Sequence, residues 1–130
     1  MRLLVVGAPR GRLTLAARLA AQNGADIIRA VSVADALKLL SAGHPDVVLI
    51  DAALAIRDLV KGLKKRPRDV PVIACGTVAD AGVALAAVRA GASEYLPLSA
   101  NLEEAAALIA ALARGNRASS RHVRTASKAN

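Results

Sequence analysis

The chain has 130 residues, which is enough for one domain with its own hydrophobic core and a short tail. Hydrophobic residues make up 55% of the sequence, but the only aromatic residue is Tyr95. This composition excludes an aromatic stacking platform for single-stranded nucleic acid and disfavours a sugar-binding cleft. The formal net charge of +8 would suit a nucleic-acid-binding protein if it were spread over the whole chain.

Much of that charge lies in residues 114–130, which hold no acidic residue and five basic ones: Arg114, Arg117, Arg121, Arg124 and Lys128. Subtracting these five from 18 leaves 13 basic against 10 acidic residues, a net charge of +3 for residues 1–113. The segment is rich in Ser, Ala, Asn and Arg and has no apolar periodicity. We therefore expect a domain at 1–113 and a basic disordered tail or linker at 114–130, with weak phosphate binding by the tail as the alternative.

The single cysteine, Cys75, lies in an apolar run, which predicts a buried structural thiol. The opening segment, MRLLVVGAP, has too short an apolar stretch for a signal peptide. No run reaches the roughly 18 consecutive apolar residues needed to span a bilayer. We therefore expect a cytoplasmic protein with no membrane partner.

Short apolar runs alternate with longer segments of helical periodicity along the whole domain. In chain order, the pattern predicts a strand at 2–6, a helix at 11–23, a strand at 26–31, a helix capped by Ser32 and running to about residue 42, a strand at 46–50, a helix near 55–65, a strand at 72–75, a helix at 79–90, a strand at 93–96, and a helix capped by Asn101 and ending at Gly115. The Ala-rich faces at 83–90 and 105–113 would permit close helix approach, either in the core or in a dimer seam.

Five strand–helix repeats with continuously apolar strands predict an α/β fold with a parallel, doubly wound sheet covered on both faces. Ligand sites in such sheets lie at the carboxyl ends of the strands. Four groups of residues fall there: 7–10, Asp51, 76–77 and 97–98.

Three motifs at these positions resemble the receiver domains of two-component response regulators: VVLID ending the third strand, VPVIA as the fourth, and GASEYLP around the fifth. The resemblance covers residues 1 to about 113 and rests on the order and spacing of the motifs. It implies a CheY-like, flavodoxin-like sheet of five strands in the order 2-1-3-4-5.

In that family, an acidic pair after the first strand helps to hold Mg²⁺, an aspartate accepts phosphate, and a hydroxyl residue and a lysine contact the phosphoryl group. The corresponding positions here are Gly7 and Ala8 for the acidic pair, Asp51 for the phosphoacceptor, Gly76 for the hydroxyl and Leu98 for the lysine, with Ser99 where a proline would follow. Because Mg²⁺ prefers several oxygen ligands and phosphoryl transfer depends on charge neutralisation, we expect Asp51 to be unused for phosphorylation. Its expected role is to accept hydrogen bonds from loop amides.

Tyr95 matches the switch aromatic of the family, but its usual hydroxyl partner is absent and Thr77 is displaced by one residue. Because the corresponding face of receivers mediates dimerisation or partner docking, Tyr95, Arg89 and Thr77 are candidates for a switch or an interface. A purely structural role for Tyr95 is the alternative.

The segments MRLLVVG, VPVIACG and AVRAGASEYLPL further resemble the degenerate receiver domain of FlbD-type flagellar regulators, which are sigma-54-dependent transcription activators. The resemblance implies control by a FliX-type regulatory protein, a homodimer through the receiver, and DNA binding only through a domain absent from this chain. No ATPase motif and no helix-turn-helix occurs in the sequence, so we expect it to correspond to the regulatory module.

The sequence thus predicts a non-enzymatic receiver-like domain of a transcription regulator that acts through protein contacts, without metal or cofactor. One alternative is a genuine phospho-receiver that uses Mg²⁺ and Asp51. The other is a small module that binds an anion or nucleotide at the turn of residues 7–11, although GxGxxG is absent. His44 and His122 have no second ligand at metal-binding spacing. Under the phospho-receiver alternative, Arg10 could supply a cation near Asp51.

Overall fold

Five strands and five helices alternate along the chain, and the computed structural model describes them over residues 1–41, 43–66, 69–77 and 80–114. The elements are β1 (Leu3–Val6), α1 (Arg12–Gln22), β2 (Ile27–Ala30), α2 (Val33–Leu40), β3 (Val47–Asp51), α3 (Ile56–Lys64), β4 (Val72–Gly76), α4 (Ala81–Arg89), β5 (Glu94–Pro97) and α5 (Leu102–Ala113). All strand pairs are parallel, in the order β2-β1-β3-β4-β5. The predicted alternation and the strand order implied by the resemblance are confirmed.

The strands are apolar on both faces because helices cover both sides of the sheet. Leu3, Val5 and Leu49 face the cluster formed with α1 and α5. The alternate residues, such as Leu4 and Ile50, face the cluster formed with α2, α3 and α4. This alternation places every strand residue of β1 in the core.

The predicted helix caps are confirmed. The side chain of Ser32 accepts a hydrogen bond from the amide of Asp35 at 3.0 Å. Asn101 accepts from the amides of Glu103 and Glu104 at 2.9 and 3.1 Å. Both side chains satisfy amides that have no partner inside their helix.

Most of the predicted boundaries differ from those of the structure by one or two residues. Helix α4 begins at Ala81 because the side chain of Asp80 caps it, accepting from the amides of Gly82 and Val83. Strand β4 extends to Gly76, which pairs with Pro97, so β5 ends one residue later than expected. The predicted helix end at Gly115 and residues 115–130 of the predicted tail lie outside the described residues. The first residue of that tail, Arg114, is the C-cap of α5.

The two Ala-rich helices pack differently. Helix α5 lies along α1 and buries five residues, all of them apolar. Helix α4 buries only Ala87 and packs mainly against β5. Close helix approach is therefore confirmed for 105–113 but not for 83–90. None of the helices in the described part of the chain is long and apolar enough to cross a membrane.

Candidate functional site

The carboxyl edge of the sheet brings Gly7 and Asp51 side by side, because β1 and β3 are neighbours with Val6 paired to Ile50. A Cβ atom built on Gly7 would lie 3.9 Å from the Cβ of Asp51. Asp51 itself is half-buried at the end of β3. The edge therefore has one carboxylate beside a backbone position that carries no side chain.

A residue that the sequence analysis missed, Thr14, also faces this edge. It is the one polar side chain in the buried class among the described residues. A Cβ atom on Gly7 would lie 3.1 Å from its Oγ1. Its place in the first turn of α1, directly after the β1–α1 turn, is the only sequence signal that could have indicated it.

The carboxylate of Asp51 participates in the turn that follows β3. Its Oδ1 accepts a hydrogen bond from the amide of Ala53 at 2.9 Å. The carbonyl of Asp51 accepts from the amide of Leu54 at 2.9 Å. Aspartate commonly stabilises such turns by bonding the amide two residues ahead. The arrangement gives Asp51 a structural role.

Leu98, at the position of the family's lysine, is buried in the hydrophobic cluster of α1 and α5, with 4% of its surface exposed. Its amide donates to the carbonyl of Gly76 at 2.7 Å. The next residue, Ser99, accepts from the amide of Asn101 and donates to Glu104 Oε2 at 2.8 Å. An apolar core contact and a polar turn thus occupy the two positions to which the resemblance assigns the family's lysine and proline.

Tyr95 occupies the space above Gly76. A Cβ atom on Gly76 would overlap the Tyr95 hydroxyl and would lie 3.0 Å from its Cζ. The tyrosine is half-buried and packs against the cluster of α2, α3 and α4. Thr77 and Arg89 are exposed, and residues 78–79 lie outside the described residues. The absence of a side chain at Gly76 is what allows Tyr95 to lie here.

The turn of residues 7–11 has few amides left for an anion. The amide of Gly7 donates to the carbonyl of Ala30, and that of Gly11 donates to the carbonyl of Ala8. Pro9 has no amide hydrogen. Phosphate-binding loops present several backbone amides together, whereas here one amide bonds within the turn and another bonds to β2.

The donor set at the edge does not fit Mg²⁺. Mg²⁺ requires near-octahedral oxygen coordination and is usually bound through more than one protein or substrate oxygen. Gly7 and Ala8 carry no side-chain oxygen. Across the described ranges, no group of three or more His, Cys, Asp or Glu side chains lies close enough together to hold a metal ion.

Cys75 is buried beneath the edge, as predicted, and forms no disulfide. It pairs with Asp51 across β3 and β4. Burial, and to a smaller extent the negative charge of Asp51, raise the pKa of Cys75 to about 12. The thiol therefore stays protonated at neutral pH and is a poor nucleophile.

Comparison with known proteins identifies the family to which this fold belongs. Residues 4–110 match the response regulator receiver domain family. The chain is 38% identical over 113 residues to the transcriptional regulatory protein FlbD of Caulobacter vibrioides, covering 86% of this chain and 25% of that protein. It is 35% identical over 91 residues to the DNA-binding transcriptional regulator NtrC of Escherichia coli K12, covering 68% of this chain and 18% of that protein.

The fold also matches solved receivers. The receiver domain of the Francisella response regulator 1452 superposes with a TM-score of 0.64 at 21% identity, covering 88% of this chain and 98% of that one. The chain spans about a quarter of FlbD and less than a fifth of NtrC. From the extent of the family match and the identity to FlbD, the chain belongs to the response regulator receiver domain family.

Proposed function

We propose that this receiver domain regulates transcription, as the control module of a larger regulator, through protein contacts that do not require phosphorylation of Asp51. The observation that carries the proposal is the burial of Leu98 in the hydrophobic core, where the family's lysine would contact a phosphoryl group. Gly7 and Ala8 supply no carboxylate beside Asp51. The carboxylates and the lysine that neutralise charge in phosphoryl transfer in this family are thus missing from their positions at this edge.

The proposed setting is a sigma-54-dependent activator of the FlbD type, and flagellar gene regulation is the proposed process. Support comes from the 38% identity to FlbD over most of this chain. We propose that a FliX-type protein controls the domain and that DNA is bound only by another domain. The domain itself has a regulatory and non-enzymatic role in this proposal.

The proposed contact face comprises α4, β5 and α5, on which Tyr95 and Arg89 lie. Leu85 and Val88 of α4 are 51% and 48% exposed, and Leu108 of α5 is 39% exposed. Leu85 and Val88 lie three residues apart on α4, and an exposed apolar patch of this kind is typical of protein interfaces. Homodimerisation through this face is part of the proposal.

The test is NMR chemical-shift mapping with Mg²⁺ and then with Mg²⁺ plus beryllofluoride, which mimics a phosphorylated aspartate. We expect no saturable shifts at Asp51, and no mass increase after incubation with acetyl phosphate. The Asp51→Asn variant is the control, because shifts that persist in it do not arise from the aspartate. Saturable shifts at Asp51 that reach Tyr95 and vanish in this variant would overturn the proposal in favour of an Mg²⁺-dependent phospho-receiver.

A further inference from the structure

An open groove lies between α4 and the segment that joins β3 to α3. Its volume is about 430 Å³. One wall is the α4 face of Val83, Ala86, Ala87 and Ala90, and the other comes from residues 52–57. Every lining residue is apolar except Arg57. Because most of these side chains are alanines, the groove has room for larger apolar side chains from another molecule.

The end of α4 lies close to α3. A Cβ atom on Gly91, just after α4, would lie 3.0 Å from the side chain of Val60 on α3, and the positive φ of Gly91 (117°) permits this close turn. The other side of α3 faces α2, where Gly62 lies against Leu37. These two contacts fix the orientation of α3 and place the side of Val60 towards α4.

A row of cations lies on the exposed side of α3. Arg57, Lys61 and Lys64 are exposed and occupy positions i, i+4 and i+7, which share one face of a helix. Arg89 is exposed on α4, three residues after the groove residue Ala86. The one salt bridge among residues 1–41, 43–66, 69–77 and 80–114 joins Arg2 and Asp26, so it pairs none of these four cations.

The position of Arg57 is unfavourable for helix stability. It lies in the first turn of α3, where the positive end of the helix dipole disfavours a cation. Asp58, in the same turn, has the favourable charge but lies on the side of the helix away from Val60. Lys61 and Lys64 in the last turn suit the dipole, but Arg57 does not. One cation, Arg57, therefore lines the groove although its position does not stabilise α3.

We infer that this groove binds an acidic amphipathic helix of a partner protein, with apolar side chains inserted among the alanines and carboxylates placed along the row of cations. The inference rests on the proposed function in so far as it requires control by protein contact. The groove spans two turns of α4, from Val83 to Ala90, which matches the apolar face of a short helix. Opposite charges on the rim would set the orientation of that helix.

Two other occupants fit the charge less well. The segment 115–130 of this chain carries Arg117, Arg121, Arg124 and Lys128 and no acidic residue, so the cations would repel it. Nucleic acid would satisfy the cations, but its phosphates would leave the apolar floor unfilled. A second copy could offer Glu103 and Glu104 of α5, and its binding is an outcome that the test detects.

The test uses the whole 130-residue chain and three synthetic helical peptides that share one leucine-rich face. Their flanking positions carry glutamate, glutamine or lysine. NMR titration is expected to give saturable shifts at Val83, Ala86, Ala90 and Arg57 with the glutamate peptide. We expect roughly tenfold weaker binding of the glutamine peptide, because a few exposed ion pairs contribute about 0.2–1 kcal/mol each.

Matched variants locate the binding. Ala86→Asp places a carboxylate at the groove and is expected to remove binding of the glutamate peptide, whereas Ala107→Asp makes the same change at an exposed position of α5 and leaves it intact. The double variant Arg57→Gln and Lys61→Gln is expected to abolish the preference for glutamate over glutamine.

Equal affinity for the three peptides, absence of binding, or shifts away from the groove would overturn the inference. Sedimentation that shows a concentration-dependent dimer, lost in Ala86→Asp, would also overturn it in favour of a second copy. None of these outcomes involves Asp51. A failure here is therefore distinguishable from a failure of the phosphorylation-independent mechanism, which the beryllofluoride titration reports.

Discussion

The hydroxyl of Tyr95 lies over Gly76, in the space that a side chain at position 76 would need. The two residues belong to neighbouring strands, with Gly76 paired to Pro97 at the carboxyl end of the sheet. The inward position of the tyrosine therefore depends on a glycine that is distant in sequence. This pair connects the candidate site to the α4–β5–α5 face.

Gly76→Ala is expected to displace the Tyr95 ring and to destabilise the domain by about 1–3 kcal/mol, because the added methyl group overlaps the hydroxyl. Tyr95 is the only aromatic residue, so fluorescence reports it alone. Acrylamide quenching should increase in the variant. Gly43→Ala is the control, because its Cβ would meet only Arg2 Nη1 at 4.0 Å. Unchanged quenching in Gly76→Ala would contradict this packing.

Leu98→Lys is expected to cost roughly 3 kcal/mol or more of unfolding free energy, since an ammonium group would replace an apolar core side chain. Urea denaturation measures the loss. The matched control, Leu108→Lys, changes a leucine that is 39% exposed and should stay within about 0.5 kcal/mol of the wild type. A tolerated lysine at 98 would mean that this position can turn towards Asp51, and it would weaken the proposed function.

Asp80→Ala and Asn101→Ala each remove a helix cap and should each cost about 1 kcal/mol. Their local effects should differ. Helix α4 buries only Ala87, so loss of its cap is expected to raise hydrogen exchange within α4 alone. Helix α5 buries five residues against the core, and loss of its cap should lower global stability without selective opening. If amide exchange in α4 and α5 changed equally in the two variants, α4 would not be the less stable of the two helices.

Cys75 should resist thiol reagents in the folded protein at neutral pH and react only after unfolding, because it is buried with a pKa of about 12. The raised pKa also predicts a pH dependence. Below the unfolded value of 9.0 the thiol is protonated in both states and stability is unaffected. Between 9.0 and about 12 only the unfolded state releases the proton, so stability falls as the pH rises.

The stability difference between the wild type and Cys75→Ala isolates this contribution from other groups that titrate in alkali. It should be constant below pH 9.0 and should change in favour of the alanine variant above it. A difference independent of pH throughout would show that the thiol is not buried as described.

Local patterns in the sequence determined the order of strands and helices and the caps at Ser32 and Asn101. Apolar periodicity and capping depend on residues within one or two turns of each other, so they can be recognised without the fold. The third helix was also predicted, near 55–65, and its buried residues Ile56, Leu59 and Leu63 share one face. The strand order came from the family resemblance, since periodicity carries no information about which strands are neighbours.

Only the tertiary structure decided how the candidate site is filled. The contacts of Thr14 with Gly7, of Tyr95 with Gly76, and of Leu98 with the core each join residues from different elements. The same holds for the groove, which exists because α4 supplies alanines opposite the β3–α3 segment. Such contacts depend on the packing of elements across the sheet, and a sequence pattern that repeats every two or every 3.6 residues does not encode them.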